Sequence, residues 1–156
     1  MYMWGLDPHH QRWMLVKPAP GTRLDKTAAY RRVQHSPQHC WALVNHAIDL
    51  ATASILSTYE SSHYLHQDPV LGNVLFDDNV SRAHLIDWGC ATTDSRQATP
   101  ADVKGLVSHF FQNSRGVQLC GGGPPPQVVH IPVMHAPANH CPMPVYHLGH
   151  ALPGWH

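Results

Sequence analysis

His66–Asn73, with the sequence HQDPVLGN, and Leu85–Gly89, with the sequence LIDWG, are the two stretches that decide the fold. Two short apolar runs lie between them, separated by the polar residues 77–79, Asp-Asp-Asn. A polar break of this kind is typical of a turn, so the pattern predicts a loop, a strand, a tight connection and a returning strand. Because such a hairpin brings its open ends together, we expect Asn73 and Asp87 at one edge of the pair.

Asp68, on the loop just before the first strand, would add a third oxygen-bearing side chain to the same volume. Magnesium prefers oxygen ligands and usually takes one or two from the protein, with phosphates and water completing its shell. Asn73 and Asp87 are suitable ligands, and a second carboxylate kept off the metal can accept the proton of an attacking hydroxyl. The pattern therefore suggests a magnesium and phosphoryl site, against the alternative of a surface hairpin with scattered acids.

The spacing His-x-Asp-x-x-x-x-Asn, followed by a hydrophobic run into Asp-Trp-Gly, resembles the catalytic core of the protein-kinase-like superfamily. The resemblance implies that Asp68 is the catalytic base, that Asn73 and Asp87 are magnesium ligands, and that His66 is the structural histidine supporting the loop. It further implies Mg²⁺ and ATP as cofactors, and transfer of the ATP γ-phosphate to a hydroxyl group. It covers residues 37–113, about half of the chain.

The length of the connection after Asp87 helps to distinguish between the branches of the superfamily that the chain resembles. Asp102 comes only 15 positions later, and no Ala-Pro-Glu tripeptide occurs. This short connection resembles the aminoglycoside and choline phosphotransferases, whose acceptors are small hydroxylated molecules. The LIDWG stretch also resembles casein-kinase-type protein kinases, so a small hydroxylated substrate and a protein substrate both stay open.

Two helices are predicted on either side of this core. Ser36 suits an N-cap and Pro37 the first helical position, and apolar residues then recur at three- and four-residue steps to about Tyr59. A long helix leading into the catalytic loop fits the resemblance.

Thr99 as N-cap and Pro100 at the first helical position predict the start of the second helix, which should end near Asn113. Asp102 lies three residues after the predicted N-cap. Two roles are open for it: a capping residue of this helix, or structural support that braces the catalytic loop, as the resemblance implies.

Residues 1–35 give no clear pattern beyond a short strand near 13–17, so we expect an irregular N-terminal segment. No Gly-rich loop is present, Lys17 is the only lysine on a strand-like run, and Glu60 is the only glutamate. The usual lysine–glutamate pair of active kinases is therefore missing. We expect the nucleotide-binding lobe to be largely absent and the phosphotransferase to be inactive or incomplete, as a fragment, a pseudokinase or a subunit completed by a partner.

Residues 116–156 contain no Asp, Glu, Lys or Arg but many prolines, beginning with Pro124-Pro125-Pro126. Proline at this density interrupts helices and strands, so an extended or disordered tail is expected. His130, His135 and His140 recur every fifth residue, and neutral imidazole is a common metal ligand. The alternative function is therefore a non-catalytic binding or scaffold protein, a pseudokinase fragment with a His-rich metal-binding tail.

The composition excludes several classes of partner. Ten basic and ten acidic residues balance among 156, so no nucleic-acid-binding surface is indicated. The start of the chain lacks the pattern of a signal peptide, and no apolar run is long enough to span a membrane. Four cysteines occur without a C-x-x-C pair, so reduced cysteines and a cytoplasmic protein are expected.

These inferences combine into an α+β fold of three parts. Residues 1–35 form the irregular N-terminal segment, and residues 36–115 form a partial kinase-like C-terminal lobe of helix, catalytic loop, β-hairpin and helix. Residues 116–156 form the Pro/Gly/His-rich tail.

Overall fold

The computed structural model describes residues 3–10, 12–15, 17–93, 98–113 and 118–122. Within these ranges the chain is a mixed α+β protein with small antiparallel sheets, as predicted. Its elements in chain order are β1 (Met3–Leu6), β2 (Arg12–Leu15), β3 (Thr22–Arg23), α1 (Ala28–Val33), α2 (Pro37–Ser62), β4 (Tyr64–Leu65), β5 (Val74–Phe76), β6 (Ala83–Leu85), β7 (Thr92–Thr93) and α3 (Pro100–Gln112). Short 3₁₀ turns occupy Leu24–Lys26, Trp88–Cys90 and Leu119–Gly122.

Three small sheets result from the strand pairing of the described residues. β1 pairs with β2, β5 lies between β3 and β6, and β4 pairs with β7, all antiparallel. The β5–β6 pair is the hairpin that the sequence predicted, with Val74 opposite Leu85 and Phe76 opposite Ala83.

The two long helices begin where the sequence placed them. α2 starts at Pro37 and runs three residues beyond Tyr59, ending where His63 takes a left-handed conformation with φ of 60°. α3 starts at Pro100 and is followed by Asn113 as its C-cap. Proline is favoured at the first helical position because its missing N–H would have no partner there.

The hydrophobic core lies between α2, α3 and the β5 strand. Phe76 of β5 packs edge-on against Phe111 of α3, with ring centroids 6.3 Å apart. The fully or almost fully buried side chains of the two helices are Cys40, Val44, Ala47, Ile48, Ala51, Ile55, Val103, Val107 and Phe111. These positions repeat every three or four residues, which is the spacing of one helix face.

The N-terminal segment is more regular than the sequence indicated, and the prediction of irregular chain over 1–35 is wrong for the described residues. The expected strand near 13–17 is present as β2, and it pairs with β1 across a turn. The Asp7 carboxylate accepts a hydrogen bond of 2.8 Å from the His9 amide, and the Asp7 carbonyl accepts one from His10. Such turns fix a hairpin locally.

The later part of this segment belongs to the main core. Leu24 is 0% exposed, and Ala29 and Tyr30 are buried with it against α2. β3 adds to the edge of β5, and Gly21 permits the approach, since a Cβ there would lie 2.6 Å from the Phe76 carbonyl oxygen. The sequence did not indicate β3, because this strand has only two residues and its partner strand lies more than fifty residues later in the chain.

The predicted tail boundary at residue 116 also needs correction. Leu119 and Cys120 are buried in the same core, and Cys120 forms a disulfide with Cys40 near the start of α2. The Cys120 amide donates a hydrogen bond of 3.1 Å to the Tyr30 hydroxyl. The prediction of reduced cysteines is therefore wrong for this pair. The predicted metal-binding histidines 130, 135 and 140 lie outside the described residues.

No helix in the described part of the chain is long and apolar enough to cross a membrane.

Candidate active site

The β5–β6 hairpin brings Asn73 and Asp87 to its open end. The ladder continues one step past the strands, because the Ile86 amide donates a 2.9 Å hydrogen bond to the Asn73 carbonyl. Asp87 follows directly. At the closed end the Asp77 carboxylate accepts hydrogen bonds from the amides of Ser81 and Arg82, each at 2.7 Å. These contacts fix the turn, and the turn fixes the register that places Asn73 beside Ile86.

Asn73 ties the preceding loop to the hairpin. Its Nδ2 donates to the Asp68 carbonyl oxygen at 3.0 Å and to Asp68 Oδ2 at 3.3 Å. The Asn73 amide donates to the Val70 carbonyl at 2.8 Å, which closes the loop between them. Both side-chain contacts use the amide nitrogen, and the amide oxygen carries the lone pairs that a cation requires.

His66 connects the loop to the strand that leads into Asp87. Its side chain is buried, and Nε2–H donates to the Ile86 carbonyl at 2.9 Å while Nδ1 accepts from the Asp68 amide at 3.3 Å. This pairing requires the neutral tautomer protonated on Nε2. The ring also lies edge-on to Trp88, with centroids 4.7 Å apart. A buried histidine whose two ring nitrogens both have hydrogen-bond partners holds the backbone in place and is not free to react.

Asp87 is exposed and has a left-handed backbone conformation, with φ of 58° and ψ of 68°. Aspartate tolerates this region better than most residues, yet the conformation still costs free energy. Its carboxylate accepts a long hydrogen bond of 3.4 Å from the Gly89 amide. A Cβ on residue 89 would lie 3.3 Å from Asp87 Oδ1, so glycine there leaves room for the carboxylate.

The two acids share one electrostatic environment. The pKa of Asp68 is raised above its ordinary value, mainly because the half-buried carboxylate is partly desolvated. Repulsion from the Asp87 carboxylate raises this pKa further. A cation between the two acids would relieve this repulsion, and a carboxylate with a raised pKa is a stronger base.

Among the described residues, no group of three or more His, Cys, Asp or Glu side chains is arranged to hold a metal ion. Asn73 and Asp87 would offer two oxygen donors, a number that suits Mg²⁺ when phosphates and water supply the rest. Such a donor set would fit a phosphate-bound magnesium ion better than a metal held by protein alone.

Asp102 lies at the start of α3 and does not join this group. Its carboxylate accepts from the Thr99 amide at 3.1 Å and from the Thr99 hydroxyl at 2.6 Å, while its own amide donates to Thr99 Oγ1. This reciprocal arrangement is a capping box. Within the part of the chain described, the hydrogen bonds of the Asp102 side chain all go to Thr99, which supports the capping role over the bracing role.

Four residues contribute contacts that were not predicted from the sequence. Ile86 bridges Asn73 and His66 through its backbone N–H and C=O groups, which every residue type except proline has. Trp88 packs on His66, and Gln67 donates to the Thr92 hydroxyl at 2.9 Å. The predicted hairpin indicated where Ile86 lies, but no sequence signal indicated the Gln67–Thr92 contact.

Comparison of the chain with protein-family models, with curated proteins and with solved structures gives no match.

Proposed function

We propose that this chain is a kinase-like phosphotransferase that transfers the γ-phosphate of ATP to a hydroxyl group. One observation carries the proposal. The two backbone groups of Ile86 bind Asn73 on one side and His66 on the other, so the loop of Asp68 and the residue before Asp87 meet at a single point. Residues from two distant stretches of sequence thereby converge, as the resemblance to the kinase catalytic core requires.

The residues have distinct roles in the proposed reaction. The Asn73 amide oxygen and the Asp87 carboxylate would hold Mg²⁺, which would supply positive charge to offset the negative charge of the ATP phosphates. Asp68 would accept a hydrogen bond from the acceptor hydroxyl and take its proton. His66 and Asn73 fix the loop that carries Asp68, so positioning supplies much of the catalysis.

The order of elements supports a kinase-like C-terminal lobe. α2 leads into β4 and the loop of Asp68, the β5–β6 hairpin follows, and α3 closes the unit. The short connection between Asp87 and α3 supports a small hydroxylated acceptor, with a protein hydroxyl as the second choice. No nucleic-acid or membrane partner is proposed.

Cytoplasmic localisation belongs to the same proposal because ATP is abundant in the cytoplasm. The Cys40–Cys120 disulfide weighs against it, since cytosolic reductants keep most thiols reduced. Mapping free thiols in protein purified from cytosol under alkylation decides between these two observations.

A second candidate is a non-catalytic pseudokinase or scaffold protein, and the lysines favour it. The chain has three, of which Lys104 pairs with Asp49 at 2.6 Å and Lys26 lies 3.7 Å from Asp25. Lys17 is exposed. A lysine on the ATP phosphates is part of efficient phosphoryl transfer in kinases. Magnesium-dependent ATP binding without turnover would identify this second function.

The test combines ATP binding with ADP release on a panel of small alcohols, aminoglycosides, choline and a hydroxyl-bearing peptide. Asp68→Asn should abolish turnover and retain Mg²⁺-dependent ATP binding, whereas Asp87→Asn should abolish both. Asp49→Asn, which removes an exposed carboxylate from α2, is the matched control and should leave both unchanged. Equal activity in wild type and Asp68→Asn would contradict the assigned base.

A further inference from the structure

The segment after Asp87 is held on the segment before Asp68 by a very short ladder. β4 and β7 pair over only two positions, Tyr64 with Thr93 and Leu65 with Thr92. Of these four residues only Leu65 is buried. An isolated two-stranded pair is marginal in water even at greater length. The backbone pairing by itself is therefore a weak connection between the two halves of the site.

A side-chain hydrogen bond lies directly beside this ladder. Gln67 Nε2 donates to Thr92 Oγ1 at 2.9 Å. Thr92 is thus held twice, through its backbone position opposite Leu65 and through its hydroxyl. Gln67 is flanked by His66, which binds the Ile86 carbonyl, and by Asp68 itself. The bond consequently joins the residue next to the proposed base to the strand that follows the proposed metal ligand.

A further contact between these segments is the packing of Trp88 on the His66 ring. Trp88 is the residue directly after Asp87, whose left-handed backbone carries a conformational cost. Such a conformation persists only where the surroundings hold both of its sides. On the preceding side, β6 and Ile86 do so. On the following side, Trp88 and β7 contribute to this hold.

We propose that Gln67 and Thr92 are positioning residues that hold residues 88–93 against the loop of Asp68, and so keep Asp68 and Asp87 in register for magnesium and phosphate. This inference rests on the proposed function and adds two residues to it. Neither residue touches the reacting groups in this scheme. Both act through the backbone on either side of the two acids.

The experiment replaces the Thr92 hydroxyl and leaves its volume. Thr92→Val removes the acceptor, Thr92→Ser restores it, and Thr93→Val makes the same change one position along as the matched control. Hydrogen exchange of the Asp68 amide and of the Trp88 indole N–H reports the local structure in the full chain, without ATP. The Ile55 amide in the core of α2 reports global opening. ATP affinity with Mg²⁺ is measured on the same samples.

Thr92→Val should raise exchange at Asp68 and Trp88 about fivefold, the equilibrium effect of one lost hydrogen bond, and should weaken Mg²⁺-ATP binding by a similar factor. Thr92→Ser and Thr93→Val should behave as wild type, and the Ile55 amide should not change. Gln67→Met combined with Thr92→Val should add nothing to either single change.

Equal effects of Thr92→Val and Thr93→Val, or a matching rise at Ile55, would overturn the inference, because either would indicate a general loss of stability. An unchanged exchange rate in Thr92→Val would overturn it too. Failure of the proposed function has a different signature: wild type then shows no Mg²⁺-dependent ATP binding, whereas the exchange data still decide whether Gln67 and Thr92 hold the segment.

Discussion

The hairpin region over residues 66–93 and two other described stretches, residues 21–35 and 118–122, differ in how far their structure follows from local sequence. In the hairpin, the strands, the turn and the hydrogen bond between Ile86 and Asn73 follow from patterns a few residues long. In the other two stretches, short segments without a clear pattern are built into the core by contacts with distant partners. Both regions are equally buried at their key positions, as Leu24 and Phe76 show.

The difference lies in the range of the interactions. The Ala28 and Ala29 amides donate to Asp78, about fifty residues later, and the Cys120 amide donates to Tyr30 across 90 residues. Periodicity and capping rules register only neighbours within a turn or two. A region that depends on distant partners therefore looks irregular in sequence although it is well packed in three dimensions.

The largest expected effect is loss of the N-terminal contribution to the core. Leu24→Ala should lower the free energy of unfolding by about 2–5 kcal/mol, because it empties a fully buried site in the hydrophobic core. Leu6→Ala is the matched control, since Leu6 is 58% exposed and should change stability little. Urea unfolding measures both. If Leu24→Ala left the free energy of unfolding unchanged, the N-terminal segment would contribute little to the core, as its irregular sequence pattern suggested.

The next largest effect is loss of the disulfide that joins residues 118–122 to α2. Replacing Cys40 and Cys120 together by alanine should cost about 2–4 kcal/mol, because the disulfide restricts the unfolded chain over a sequence separation of 80 residues. Urea unfolding of the oxidised protein against the double variant measures the difference. If the two midpoints coincide, Cys120 contributes no more than ordinary packing and the core ends with α3, as the sequence indicated.

Local patterns predicted the two long helices and the hairpin that carries Asn73 and Asp87. The starts of α2 and α3 were predictable because Ser36-Pro37 and Thr99-Pro100 are local start signals. The β5–β6 hairpin was predictable because a polar turn separates two apolar runs. The sequence alone left the role of Asp102 open, since one carboxylate at that position can either cap or brace, and the structure shows the capping box.

Other features had no local signal. The β3–β5 pairing, the β4–β7 pairing and the Gln67–Thr92 bond each involve one or two residues on either side. The Cys40–Cys120 disulfide was missed because the expected cytoplasmic location implied reduced cysteines, and the two residues are separated by 80 positions in sequence.

The smallest expected effect is the pH dependence of stability that two acids of the hairpin region produce. The pKa values of these acids are shifted in opposite directions. The pKa of Asp68 is raised, so the folded state binds its proton more tightly than the unfolded state does, and ionisation costs stability once the pH rises above about 3.9. The pKa of Asp77 is lowered, chiefly by the hydrogen bond from the Ser81 side chain, so its contribution is present above about 3.9 and is lost as the pH falls.

Asp68→Asn should therefore stabilise the protein at pH 7 relative to pH 3, and Asp77→Asn should destabilise it over the same interval. Thermal unfolding of the two variants and wild type at both pH values gives the two signs. If stability changed between pH 3 and pH 7 with the same sign in both variants, the Asp68 carboxylate would be as well solvated as a surface acid. Its pKa would then give no support to a role as a base.

We propose that Asn73 and Asp87 hold one divalent cation, with Asp68 beside it as the base. Mn²⁺ binds the same oxygen ligands as Mg²⁺ and broadens NMR signals of nearby nuclei, so a titration with Mn²⁺ in the presence of ATP locates the ion. We expect the Asn73 side-chain amide and the backbone amides of Asp68 and Gly89 to broaden first, and Asp87→Asn to remove this effect. Broadening that begins elsewhere, or that is the same in Asp87→Asn, would show that no cation binds between these residues.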